Sequence, residues 1–130
     1  MRPRRLLLVE DHPDTVAFLE RRLTEEGYKV EIARRGEDAM MALRKRRKLD
    51  IVVMDLNLPN MDGDDIVSWM RQQPRSRRTP VVFVTADSAK RVAHLLDEDT
   101  TRCLEKPLAT KVLLATLEDL LARAVPDGKA

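Results

Sequence analysis

The residue types able to do chemistry are spread along the chain: the pair Glu10-Asp11, then Asp55, Thr85 and Lys106. Asp55 closes the apolar run Ile51-Val52-Val53-Met54, and Pro59 and Gly63 follow it. A continuous apolar run of this kind predicts a strand buried on both faces. Its terminal carboxylate then stands at the carboxyl edge of a parallel sheet, where open α/β folds place their sites. Pro59 is expected to stiffen the loop beyond, and Gly63 to make it permissive. Glu10, Asp11 and Asp55 in one crevice would repel one another, which raises a pKa or demands a cation. An all-oxygen set suits Mg²⁺, which keeps several waters and needs few carboxylates. Such an ion would offset the repulsion and neutralise an incoming phosphoryl group. Thr85 could donate a hydrogen bond to a phosphoryl oxygen, and Lys106 supplies a point charge on a flexible stem. Asp55 is then the nucleophile of a covalent step, accepting the phosphoryl group.

These residues meet only if the strands they end are parallel neighbours. Arg5 to Val9 is a short apolar strand running into the two acids. Pro13 opens a helix whose Val16, Leu19 and Leu23 share a face, and Gly27 ends it. Tyr28, Val30 and Ile32 alternate with polar residues, as in a half-exposed edge strand. A second helix follows Gly36, with Ala39, Met40 and Leu43 inward and the basic run Arg44 to Lys48 at its end. After the central strand, Ile66, Val67 and Met70 mark a third helix that Pro74 stops. Pro80 to Thr85 is a second central strand, and Ala86-Asp87-Ser88 opens a fourth helix with Ala89, Val92 and Leu96 on one face. Arg102 to Lys106 is the other edge strand, and a last helix carries Leu113, Leu117 and Leu120. Strand and helix alternate five times, which predicts a doubly wound α/β fold with a five-stranded parallel sheet in the order 2-1-3-4-5.

With 130 residues, the sequence suits one domain over residues 1–125, with 126–130 as a tail or the start of a linker. The formal net charge of +2 is too small to argue for nucleic acid or a membrane as partner. One cysteine, Cys103, excludes an internal disulfide and a multi-cysteine zinc site. No apolar run approaches the roughly 20 residues needed to span a bilayer. The basic start is followed by too short an apolar stretch for a signal peptide, so a cytoplasmic location is expected.

Glu10-Asp11, Asp55 with Pro59 and Gly63, Thr85-Ala86 and Lys106-Pro107, in that order and spacing, closely resemble the receiver domain of two-component response regulators. The resemblance covers about residues 4–124. It implies that Asp55 takes a phosphoryl group from a sensor histidine kinase or a histidine phosphotransfer protein. It implies direct Mg²⁺ binding by Asp11, action of Glu10 through a metal-bound water, and a backbone carbonyl ligand from Asn57. It further implies that Thr85 and Lys106 bind phosphoryl oxygens, that Lys106-Pro107 is cis, and that Asn57 and Asp87 flank the site and tune the phosphoryl lifetime. The domain would be a regulator that catalyses only its own phosphorylation and dephosphorylation. A homodimer along the fourth and fifth helix–strand units is a candidate output.

One position departs from the pattern. Receivers usually carry Tyr or Phe three residues before the site lysine, and here Cys103 stands there. The stretch Asp97 to Thr101 also lacks the Gly-Ala that many receivers show. An altered or weakened switch is therefore expected. Two other functions compete: an interaction module that no longer depends on phosphorylation, and an aspartyl-phosphate phosphatase. The phosphatase reading needs a second Asp two residues after the nucleophile, where this chain has Asn57.

Blander roles stand beside these. Glu10-Asp11 could simply complement a helix dipole. Thr85 could be a helix N-cap. Lys106 could be an edge-strand charge that discourages aggregation. Arg44 to Lys48 suits a solvated helix end better than a nucleic-acid patch. His12 reads as a rim residue, His94 as a helix-surface residue, Trp69 as packing, and Cys103 as a small apolar filler.

Overall fold

The computed structural model describes residues 2–45 and 47–124. The expected tail at 126–130 lies outside the described residues. The order is β1 (Arg5–Val9), α1 (Pro13–Glu25), β2 (Lys29–Ala33), α2 (Gly36–Arg44), β3 (Ile51–Asp55), α3 (Gly63–Met70), β4 (Val81–Thr85), a 3-10 segment η1 (Ala89–Leu95), β5 (Thr101–Glu105) and α4 (Thr110–Arg123). All strand pairs are parallel, in the order β2-β1-β3-β4-β5. This is the doubly wound sheet the sequence predicts.

The period of two along each strand divides the core into two layers. Leu7, Val9, Val52, Met54, Val81 and Phe83 face α2, α3 and η1, where Ala39, Leu43, Ile66, Val67, Met70 and Val92 meet them. Leu6, Leu8, Ile51, Val53, Val82 and Val84 face α1 and α4, against Leu19, Leu23, Leu113, Leu117 and Leu120. Every residue of β3 and β4 is buried, as strands covered on both faces require. At the other end of the sheet Asp50 fastens β1 to β3. Its carboxylate accepts the Arg5 backbone N–H at 2.7 Å and a bidentate pair from Arg2 at 2.9 and 3.0 Å.

Three local expectations change. The fourth helix is not an α-helix but the seven-residue 3-10 segment, and Leu96 lies beyond it, 40% exposed. The chain turns back there, because the Asp97 carboxylate accepts the Asp99 N–H at 2.8 Å and Asp97 pairs with Thr101. Such side-chain bonds offer the backbone an alternative to helix. Gly63, expected to make the loop permissive, is instead the first residue of α3. A Cβ there would lie 2.5 Å from the Asp55 carbonyl oxygen and 2.9 Å from Met54 Cγ, so close approach is its reason. The left-handed residue of this loop is Asn60, with φ 67°. Among the described residues no helix is long and apolar enough to cross a membrane.

Candidate functional site

Parallel pairing brings the ends of β1, β3, β4 and β5 to one edge of the sheet. Glu10 and Asp11 follow β1 directly, Asp55 ends β3, Thr85 ends β4, and Lys106 follows β5. One carboxylate oxygen from each of Glu10, Asp11 and Asp55 lies within 4.8 Å of the others. Glu10 and Asp55 are buried, and Asp11 faces solvent. Lys106 Nζ reaches over them, donating to Glu10 Oε1 at 3.2 Å and standing 3.6 Å from Asp55 Oδ2. Lys106-Pro107 is cis.

The loops hold these groups through the backbone. Asp55 Oδ1 accepts the Asn57 N–H at 3.0 Å. Glu10 Oε2 accepts the N–H groups of Asp11 and His12 at 3.1 and 3.3 Å. The Lys106 N–H donates to the Thr85 carbonyl at 2.7 Å, tying β5 to β4 at the site. Thr85 is fully buried, and its hydroxyl accepts the Asp87 N–H at 2.9 Å. Thr85 is not the N-cap of the next segment; Ser88 is, accepting the Lys90 N–H at 3.2 Å. The Asn57 side chain turns aside, with Nδ2 donating to Asp87 at 3.1 Å and Oδ1 accepting from Arg91 at 2.8 Å.

The electrostatics follow from this crowding. Burial first, and Asp55 second, raise the Glu10 carboxyl above its usual value, against opposing pulls from the His12 N–H and Lys106. Burial lowers Lys106, but Asp55 and Glu10 outweigh it and the net shift is upward, so the ammonium stays charged. Three carboxylates gathered this closely, with Glu10 raised by burial and by Asp55, fit a small hard cation such as Mg²⁺.

The other singled-out residues fall where their bland readings put them. His12 is the exposed N-cap of α1 at the rim, and His94 is exposed on η1. Trp69 packs partly buried against the core, with the Arg44 guanidinium 5.5 Å from its ring centroid. Lys45 pairs with Glu31 at 3.3 Å. Cys103 is half-buried beside Phe83 in the sheet, and burial, then Glu105, raises its thiol. It therefore stays protonated and unreactive. Two arginines were not legible as structural centres. Arg71 donates to the Thr101 hydroxyl at 2.8 Å and the Ser76 carbonyl at 3.0 Å. Arg91 joins Asn57, Asp62, Asp64 and Asp87 around the site mouth. Only the acids crowding the loops hinted at it.

Comparison with known proteins gives the family. The response regulator receiver domain profile matches residues 6–118. The chain belongs to that family. Receiver relatives include Protein Rrf1 of Nitratidesulfovibrio vulgaris, 34% identical over 128 residues, covering 96% of this chain and 90% of that protein. The sensor histidine kinase RcsC of Salmonella typhimurium is 38% identical over 86% of this chain, which spans only 12% of that much longer protein. Among solved structures, the receiver domain of sensor histidine kinase PA1611 from Pseudomonas aeruginosa superposes with a TM-score of 0.82 at 27% identity, covering 92% of this chain and 98% of that one. That receiver holds a magnesium ion in its active site cleft. The receiver is thus a two-component signalling domain.

Proposed function

We propose that this receiver is a phosphoacceptor switch with Asp55 as the acceptor. The observation that carries the proposal is the buried Asp55 carboxylate with Lys106 Nζ at 3.6 Å and the Glu10 and Asp11 oxygens within 4.8 Å. An Asp55 oxygen attacks the phosphorus of a phosphohistidine on a sensor histidine kinase or a histidine phosphotransfer protein. The P–O bond forms, the P–N bond breaks, and the imidazole leaves and takes up a proton. Lys106 and the Thr85 hydroxyl hold two phosphoryl oxygens as charge builds on them. Glu10, Asp11, Asp55 and the Asn57 backbone carbonyl would hold Mg²⁺, which supplies charge neutralisation at the transferring group. Hydrolysis returns Asp55 and releases inorganic phosphate. The same family site in PA1611, with its magnesium ion, supports this assignment.

The chain acts as a regulator and turns over no external metabolite. Its output is a changed preference for a partner along η1, β5 and α4, including a second copy of itself, in the cytoplasm. Cys103 in place of a ring is read as weakening the usual path to that face. Incubation with acetyl phosphate and Mg²⁺, followed by intact mass, tests the chemistry. Wild type is expected to gain one phosphoryl group and Asp55→Asn none. Equal gain in both would move the acceptor elsewhere, and no gain in either would favour a phosphorylation-independent interaction module.

A further inference from the structure

Arg91 sits on η1 and reaches back to the mouth of the site. Its Nη1 donates to Asn57 Oδ1 at 2.8 Å and lies 3.8 Å from Asp87 Oδ2. Its Nη2 is 3.1 Å from Asp62 Oδ1 and 3.4 Å from Asp64 Oδ1. Asn57 Nδ2 closes the ring on Asp87 at 3.1 Å. One planar fork therefore joins the loop after β3, the start of α3, the loop after β4 and η1. Isolated surface ion pairs contribute little, but a rigid fork shared among several partners is the exception.

Two further facts give this cluster a role. First, η1 is weakly held on its own account. Its 3-10 hydrogen bonds are poor in geometry, and Val92 is its only fully buried residue. Second, the cluster connects to the acceptor in two bonds. Asp55 Oδ1 accepts the Asn57 N–H at 3.0 Å, and the Asn57 amide accepts from Arg91. Phosphorylation would turn Asp55 into an acyl phosphate, a mixed anhydride, in which a phosphoryl group carrying about two negative charges replaces the single carboxylate charge, a net gain of about one at the mouth. That changes what Asn57 can bond and offers the guanidinium a new anion to face.

We propose that Arg91 is the positioning residue through which the state of Asp55 reaches η1, a polar link in a receiver where Cys103 stands in the aromatic position. The inference rests on Asp55 being the phosphoacceptor. The link is a tether between two states of η1, biased by the charge at Asp55, and not a contiguous wire of side chains.

The test uses the full chain as wild type, R91A and R91K, each with and without acetyl phosphate and Mg²⁺. Intact mass reports phosphoryl gain, and amide hydrogen exchange reports the opening of residues 86–97. In wild type, phosphorylation is expected to change exchange over this segment by about threefold or more, readable as a local opening equilibrium. In R91A the phosphoryl group is still gained, but the segment exchanges at one rate in both states. R91K keeps the charge and loses the fork, and its response falls at least halfway towards that of R91A. A phosphorylated R91A or R91K with the full wild-type response overturns the role of Arg91 alone. A wild type that is phosphorylated without any change at 86–97 does the same. A wild type that gains no phosphoryl group refutes the assignment of Asp55, and the inference with it.

Discussion

The two halves of this sheet are built to different standards of order. On the β1–β3 side, α1 and α3 are regular helices, the acids sit on short strand-end turns, and Asp50 locks the opposite edge. On the β4–β5 side the connecting element is a 3-10 segment with one buried anchor, the loop at Asp97 folds back on itself, and Cys103 is half-buried. The carboxylates belong to the β1–β3 half, while Thr85 and Lys106 stand at the ends of β4 and β5, with Lys106 joined to the acids through Glu10 and Asp55. On the proposed reading of Asp55 as phosphoacceptor, close packing would hold the carboxylate, and the lightly anchored η1 would pass on its state.

Three experiments would break or sharpen this contrast. The largest effect is expected from Lys106→Ala, which removes the only ammonium within reach of both Glu10 and Asp55 among the described contacts. The rate of phosphoryl gain from acetyl phosphate should fall about 100-fold, the scale for losing one preorganised donor, with the fold intact by circular dichroism. An unchanged rate would detach β5 from the chemistry. Next is Val92→Ala. Two buried methyls are worth about 2 kcal/mol. If η1 opens separately, the loss appears as faster hydrogen exchange over 89–95, with little shift in the urea midpoint. A matching drop in global stability would instead make η1 part of the common core.

The smallest effect concerns Asp50. Burial pushes its carboxyl up, but the Arg2 guanidinium and the Arg5 N–H outweigh burial and hold it below its usual 3.8. A depressed carboxylate contributes stability above the unfolded pKa and loses it as pH falls through the folded one. Asp50→Asn should therefore cost about 1.5 kcal/mol at neutral pH, the scale of a charged hydrogen bond. The gap to wild type should close as the pH drops below 3.8, the usual carboxyl value. Urea unfolding at two pH values measures this, and a pH-independent gap would remove the charge from the explanation.

Legibility in the sequence followed local composition rather than this divide. Ile51–Asp55 and Val81–Thr85 announce buried strands because every residue is apolar up to a polar terminus, and parallel pairing then brings their ends together. The edge strands betray themselves through mixed composition. Where side-chain bonds compete with helix, local pattern misleads: Ala89, Val92 and Leu96 fit a helical stripe, yet Asp97 turns the chain before the stripe is complete. Gly63 reads as conformational freedom in the loop because a glycine there suggests turning, whereas what requires it is the closeness of Asp55 and Met54. The Arg91 cluster leaves little local trace: Asp87 lies four residues away, but Asn57, Asp62 and Asp64 lie 27 to 34 positions away, a separation no local window can register.

Gly63 has a mechanical consequence. With no room for even a methyl group between α3 and the Asp55 carbonyl, β3 and that helix are held to move together. Under the proposed phosphorylation of Asp55, any yielding would thereby be steered across the sheet, away from α3 and towards η1, which has Val92 as its buried anchor.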